Sequence, residues 1–134
     1  MKILIKSVLV AGFALAAAAA NAADVVVIVS ARNSASAMSA DDIANIYLGK
    51  STALKPVDNA SAVRAPFYTA VAGKDEAQVK AIWSKLVFTG KATPPKELAS
   101  SADVVKAVGA DTNLIGYVEK GAVDASVKVV YEVK

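Results

Sequence analysis

The residues able to do chemistry in this chain are few in kind. It has no histidine and no cysteine. Ser-His-Asp and Cys-His nucleophilic catalysis, zinc sites built on Cys or His, and haem ligation by either residue are therefore excluded. Carboxylates, lysines, Arg32 and Arg64, hydroxyls and backbone amides remain. The sharpest constellation is Asn59-Ala60-Ser61-Ala62-Val63-Arg64. A serine at a helix start, with unpaired amides behind it, is a ready anion site. An arginine three residues on can add a two-pronged fork to an oxyanion. Ser61, Ala62, Val63 and Arg64 are thus the anion-binding candidates. The loop Ser30-Ala31-Arg32-Asn33-Ser34 follows a buried strand, and ligands of open α/β sheets sit beyond the carboxyl ends of strands. That rule adds Ser30, Asn33 and Ser34. The plain alternative is a helix cap beside a surface arginine.

Other reactive-looking groups read as structural. Asp41-Asp42 and Asp75-Glu76 fall in first helical turns, where acids favour the helix dipole and sequence neighbours do not face each other. Trp83 and Phe88 could stack on a sugar or base, but Trp83 lies on an apolar helix face and reads as core. Lys85, Lys91, Lys96 and Lys120 form no stripe and read as solvated surface. No catalytic residue, metal or cofactor is expected, and the chain reads as a non-enzyme.

The elements that must position these groups begin with Val25-Val26-Val27-Ile28-Val29, a strand apolar on both faces, as at the centre of a covered sheet. Ser39 and Asp42 resemble a capping box for a helix with Ile43, Ile46 and Tyr47 on its face and Gly49 as its stop. Leu54 to Asp58 reads as a short extended piece. Ser61 opens a second helix, with Val63, Phe67 and Val71 on one face and Gly73 at its end. Pro66 is awkward there, since proline past the first turn removes a hydrogen bond, so that helix starts later or bends. Asp75 and Gln78 cap a third helix, in which Val79, Ile82, Trp83, Leu86 and Val87 recur at helical spacing. Thr89 to Glu97 reads as a loop. Ser101 or Asp103 opens a fourth helix closed by Gly109. Ile115 to Val118 and Val127 to Val133 read as strands, the latter alternating with one wetter face. Interleaved strands and helices predict one compact α/β domain, a mixed sheet covered by about four helices.

Residues 1–22 read as a cleavable signal peptide. Lys2 and Lys6 precede the uncharged run Val8 to Ala20, and Ala20-Asn21-Ala22 supplies the small-x-small cleavage pattern. The run is shorter than the roughly 20 apolar residues of a membrane span, so no stable membrane anchor is expected. Residues 23–134 are then a domain exported to the periplasm. The leader carries two of the fifteen basic residues and none of the twelve acids, leaving the exported part at +1. That near-neutral balance offers no basis for nucleic-acid binding.

The segment Met38-Ser39-Ala40-Asp41-Asp42-Ile43-Ala44-Asn45-Ile46-Tyr47-Leu48-Gly49-Lys50 resembles the L-S-x-x-x-(h)-x-x-I-F-x-G-K stretch of PstS-like phosphate-binding proteins of ABC transporters. Pro56-Val57-Asp58, then Ser61, Arg64 and Phe67, resemble the S-G-T-R-x-x-F stretch that follows. Leu114-Ile115-Gly116-Tyr117-Val118 resembles the a-I-G-Y-V strand near the end of the same lobe. The resemblance implies one lobe of a type 2 periplasmic binding protein, a short form holding phosphate or a similar oxyanion, with an ABC transporter permease as partner. In that family the hydroxyls and amides of the S-G-T turn hold the anion. Here Ser61 and Arg64 keep their positions, Ala62 and Val63 replace Gly and Thr, and Val57 stands where an anion-binding arginine is common. Full binding proteins close two lobes over the ligand, and 112 residues suffice for about one. The rival reading is an exported interaction or structural module derived from such a lobe, without a small-molecule ligand.

Overall fold

A strand apolar on both faces needs cover on each. In the computed structural model, which describes residues 24–133, the run from Val25 becomes β1 (Val25–Ser30), and all six of its residues are buried. The signal-peptide reading of residues 1–22 lies outside the described residues. β2 (Lys55–Asn59), β3 (Lys96–Leu98), β4 (Leu114–Glu119) and β5 (Val127–Glu132) complete a mixed sheet in the order β3-β2-β4-β1-β5. β1 is antiparallel to both of its neighbours, whereas β2 is parallel to both β3 and β4.

Alternation along β1 sorts the core into two layers. Val25, Val27 and Val29 pack with Ile43, Ile46 and Tyr47 of α1 (Ala40–Tyr47), Phe67 of α2 (Arg64–Phe67), and Val79 and Trp83 of α3 (Glu76–Phe88). Val26 and Ile28 face the other way, against Val104, Val105 and Val108 of α4 (Ser101–Ala110). The expected α/β domain, with four helices over a mixed sheet, is what forms.

Local signals explain most helix boundaries. Ser39 and Asp42 make the full capping box of α1, and Asp75 and Gln78 make that of α3. The second helix differs from expectation. Ser61 makes no cap bond; Val63 precedes the first helical residue, Arg64, and Pro66 lies within the first turn, where its missing N–H leaves nothing unpaired. The chain then widens into a π turn over Tyr68–Ala72 and stops at Gly73, whose φ of 67° is left-handed.

Three further expectations change. Ser100 caps α4 by accepting from Asp103 N, and Gly109 lies inside that helix, pressed against Ser126. The loop expected over Thr89 to Glu97 forms over residues 89–95 but ends two residues early, where β3 begins and pairs parallel to β2. In β5 the register with β1 shifts at Val27/Ile28, and Val127 and Val130 are the buried pair. A bulge thus breaks the simple alternation.

β4 lies close under α4 at Gly116, where a Cβ would be 2.6 Å from Val104 Cγ1 and 3.1 Å from Val108 Cγ2. Gly116→Ala must push α4 off the sheet, an overpacking cost of about 1–3 kcal/mol. Urea unfolding followed by the fluorescence of Trp83 should show the midpoint falling accordingly.

Candidate functional site

β2 ends in two polar residues on opposite faces of the sheet: Asp58 turns toward Tyr68 and Arg64, and Asn59 toward Ser101 of α4. Asn59 is fully buried and fully employed. Its side-chain amide donates to Ser101 Oγ (3.1 Å) and Tyr117 O (2.9 Å), and its Oδ1 accepts from Ser61 N (3.2 Å). Asn59 thereby fixes the turn that carries the candidate anion ligands.

Asp58 is the electrostatic centre of the region. Its Oδ1 accepts from the hydroxyls of Tyr68 (2.9 Å) and Tyr117, and its Oδ2 lies 3.1 Å from Arg64 Nη2. The Arg64 guanidinium also contacts Glu97, and Glu76 at 3.5 Å. Burial works against its charge, but Asp58 and Glu97 outweigh that and hold its pKa above the ordinary value. Asp58 is only 15% exposed, against 49% for Glu76 and 60% for Glu97. The inner pair therefore carries the interaction, while the outer contacts are screened and weak. A cavity of about 340 Å³ opens over this cluster, with Lys80 and Trp83 also on its wall.

The turn itself is polar and underused. Ser61 N is taken by Asn59 and Arg64 N donates to Ser61 O (3.2 Å), which leaves the amides of Ala62 and Val63 without a protein acceptor among the described residues. Two buried side-chain polar atoms among the described residues also lack a partner: Ser61 Oγ and Arg64 Nε. Buried polar atoms are rarely left unpaired, and both of these belong to the turn singled out in the sequence.

The other three candidates are elsewhere. Ser30 is buried, its Oγ donating to Gly109 O (3.5 Å) and accepting from Arg32 N (3.2 Å). Asn33 donates to Thr112 O (3.0 Å) and accepts from Ala35 N (2.7 Å), while Ser34 is exposed. Ser30 and Asn33 thus tie the end of β1 to the end of α4 and the α4–β4 connection. The expected grouping fails for a topological reason. β1 pairs Val29 with Ile115 and Val25 with Glu119, whereas β2 starts beside Leu114, so the carboxyl ends of β1 and β2 lie at opposite ends of the sheet. Ligands sit beyond the carboxyl ends of strands that run in parallel, and β1 runs opposite to β2.

Sequence reasoning passed over Asp58, Asn59, Tyr68 and Tyr117 as site residues. The available signal was Asp58-Asn59 closing a half-buried strand, and a tyrosine inside an apolar one, each needing an interior partner. Trp83 is core as expected, its indole N–H donating to Tyr47 O (2.7 Å), whereas Phe88 is 90% exposed. Among the described residues no three metal-ligating side chains cluster, and no helix is long and apolar enough to cross a membrane.

No protein-family model matches the sequence, and no curated relative is found by sequence. Solved structures do match. An ABC-type phosphate transport receptor from Vibrio cholerae superposes with a TM-score of 0.62 at 14% identity, over 97% of this chain and 64% of the other. A protein of Clostridium perfringens, described as a phosphate ABC transporter substrate-binding protein and solved with bound phosphate, gives 0.65 at 17%, over 96% and 63%. PstS from Borrelia burgdorferi gives 0.60 at 8%, over 97% and 65%. The chain has the fold of these proteins. It spans less than two thirds of the length of each, and its α/β domain matches a lobe of theirs.

The tyrosines around Asp58 make the site sensitive to alkali. Burial, then the neighbouring tyrosine and the Asp58 charge, push Tyr47 and Tyr117 well up; burial and Asp58 do the same to Tyr68. The folded state thus keeps protons that the unfolded chain releases from about pH 10, so stability is full below that pH and falls as pH rises above it. Absorbance at 295 nm should show these three phenolates appearing together with the loss of circular dichroism. Ionisation of Tyr117 within an intact fold would contradict this.

Proposed function

We propose that the protein is a non-enzymatic, exported solute-binding protein of the phosphate-binding type. On this reading it takes phosphate or a similar oxyanion at Ser61–Arg64 and serves an ABC transporter permease from the periplasm. One observation carries the reading: Ser61 Oγ and Arg64 Nε are buried donors without acceptors, on a turn whose Ala62 and Val63 amides are also free. An oxyanion offers several acceptor oxygens to such a turn. The shared fold with proteins titled for phosphate transport supports it, as do the retained positions of Ser61 and Arg64 in the motif. Export rests on the signal-peptide pattern of residues 1–22.

The carboxylates around Arg64 define which oxyanion fits. Glu76 and Glu97 are exposed and can swing aside, whereas Asp58 is pinned. A partly protonated oxyanion can donate a hydrogen bond to a carboxylate neighbour; a fully ionised one meets repulsion. Phosphate is favoured over sulfate on this ground.

A second reading, an exported interaction module without a small-molecule ligand, draws on two observations. The guanidinium of Arg64 already has three carboxylate partners, and Phe88 stands exposed beside Val87 at the end of α3. Titration calorimetry with phosphate, sulfate and molybdate separates the two. Heat with phosphate, weaker by about tenfold in Ser61→Ala through loss of a hydrogen bond to an ion, supports the first. No heat with any of the three at millimolar concentration sinks it.

A further inference from the structure

Lysines scattered along the sequence meet around a second cavity. This cavity, about 620 Å³, lies on the other side of Trp83 and the Pro94-Pro95 pair from the one at Arg64. Its volume is within the range of small-molecule sites, roughly 300–1,000 Å³. Ile46, Leu54, Trp83 and Pro94 give it apolar walls, while Lys55, Lys91 and Lys96 face a single acid, Asp111, on its lining. Its wall also includes Gly49, whose φ of 76° is left-handed and where a Cβ would fall 2.3 Å from Leu86 Cδ1. A side chain there would have to displace that of Leu86 and adopt a left-handed backbone conformation that only glycine takes readily.

The two cavities differ in sign. Next to Arg64, Asp58, Glu76 and Glu97 outnumber Arg64 and Lys80, whereas the second cavity has three ammonium groups against one carboxylate. Apolar walls offer little to a small hydrated ion but reward burial of a hydrocarbon body. We propose that the second cavity binds a small amphipathic monoanion, a carboxylate carried on a medium-length aliphatic body, with the body against Trp83 and Leu54 and the charge among the lysines. The site is separate from the anion turn and does not rest on the function proposed for it.

Trp83 is the sole tryptophan and lines the cavity, so its emission reports occupancy. Decanoate should shift that emission saturably. Decanol and decyltrimethylammonium should bind at least about tenfold more weakly, the difference expected when a charge-assisted contact is lost or reversed. The doubly substituted Lys91→Gln, Lys96→Gln protein should lose about tenfold for decanoate and nothing for decanol. Both lysines are exposed, so the variant keeps the fold, which circular dichroism checks. Excess inorganic phosphate should not compete. The proposal is overturned by any of four results: no saturable shift with decanoate, equal affinity for decanol, unchanged decanoate affinity in the folded lysine variant, or displacement by phosphate, which would put the ligand at Arg64.

Discussion

A carboxylate drawn into the interior must be met by donors or a counter-charge, because its desolvation is otherwise uncompensated. Asp58 imposes that condition, and much of this domain answers it. Tyr68 reaches it from the π turn, Tyr117 from β4, and Arg64 from α2. The tyrosines are held in turn by an aromatic cluster, with Phe67 stacked on Tyr117 at 3.9 Å between ring centres and Tyr47 edge-on to both. Tyr47 closes the set by donating to Val57 O (2.9 Å) and Ile115 O (3.2 Å), bridging the carbonyls of the paired strands β2 and β4. One buried charge thus couples strand pairing, helix placement and the orientation of the only arginine near the turn.

The same network shapes what the turn can do. Asn59 holds Ser61 by its amide and leaves the hydroxyl free, and Asp58 holds Arg64 by one edge of its fork and leaves Nε free. For the proposed anion site this means donors held in place before a ligand arrives, which would spare part of the ordering cost of binding. Against this stands the acidic surround, which lowers the attraction for any anion and favours one that carries a proton. The turn is preorganised but guarded.

Elements carrying a local signal were legible in the sequence. The apolar run of β1 and the capping boxes at Ser39 and Asp75 placed a strand and two helices where they form. Ser61 and Arg64 stand out in the sequence as a hydroxyl and a guanidinium three residues apart, although Ser61 does not cap the helix. Their partners do not stand out. Asp58, Tyr68 and Tyr117 meet only through the pairing of β2 with β4 and the packing of the π turn, and no periodicity encodes that meeting. Ser30, Asn33 and Ser34 were misplaced because strand direction is decided by tertiary pairing: the motif is the same whether β1 runs with β4 or against it. Lys55, Lys91 and Lys96 form no pattern in sequence and gather only when β3 pairs with β2.

On the proposed function, the turn after Asp58 is a binding surface and not merely a junction between β2 and α2. Amide chemical shifts followed during a phosphate titration test it residue by residue. The largest saturable shifts are expected at the amides of Ala62 and Val63 and at the Arg64 Nε–H, with Asn33 and Ser34 unmoved at the far end of the sheet. Shifts confined to other residues, or a turn that stays still at saturating phosphate, would contradict it.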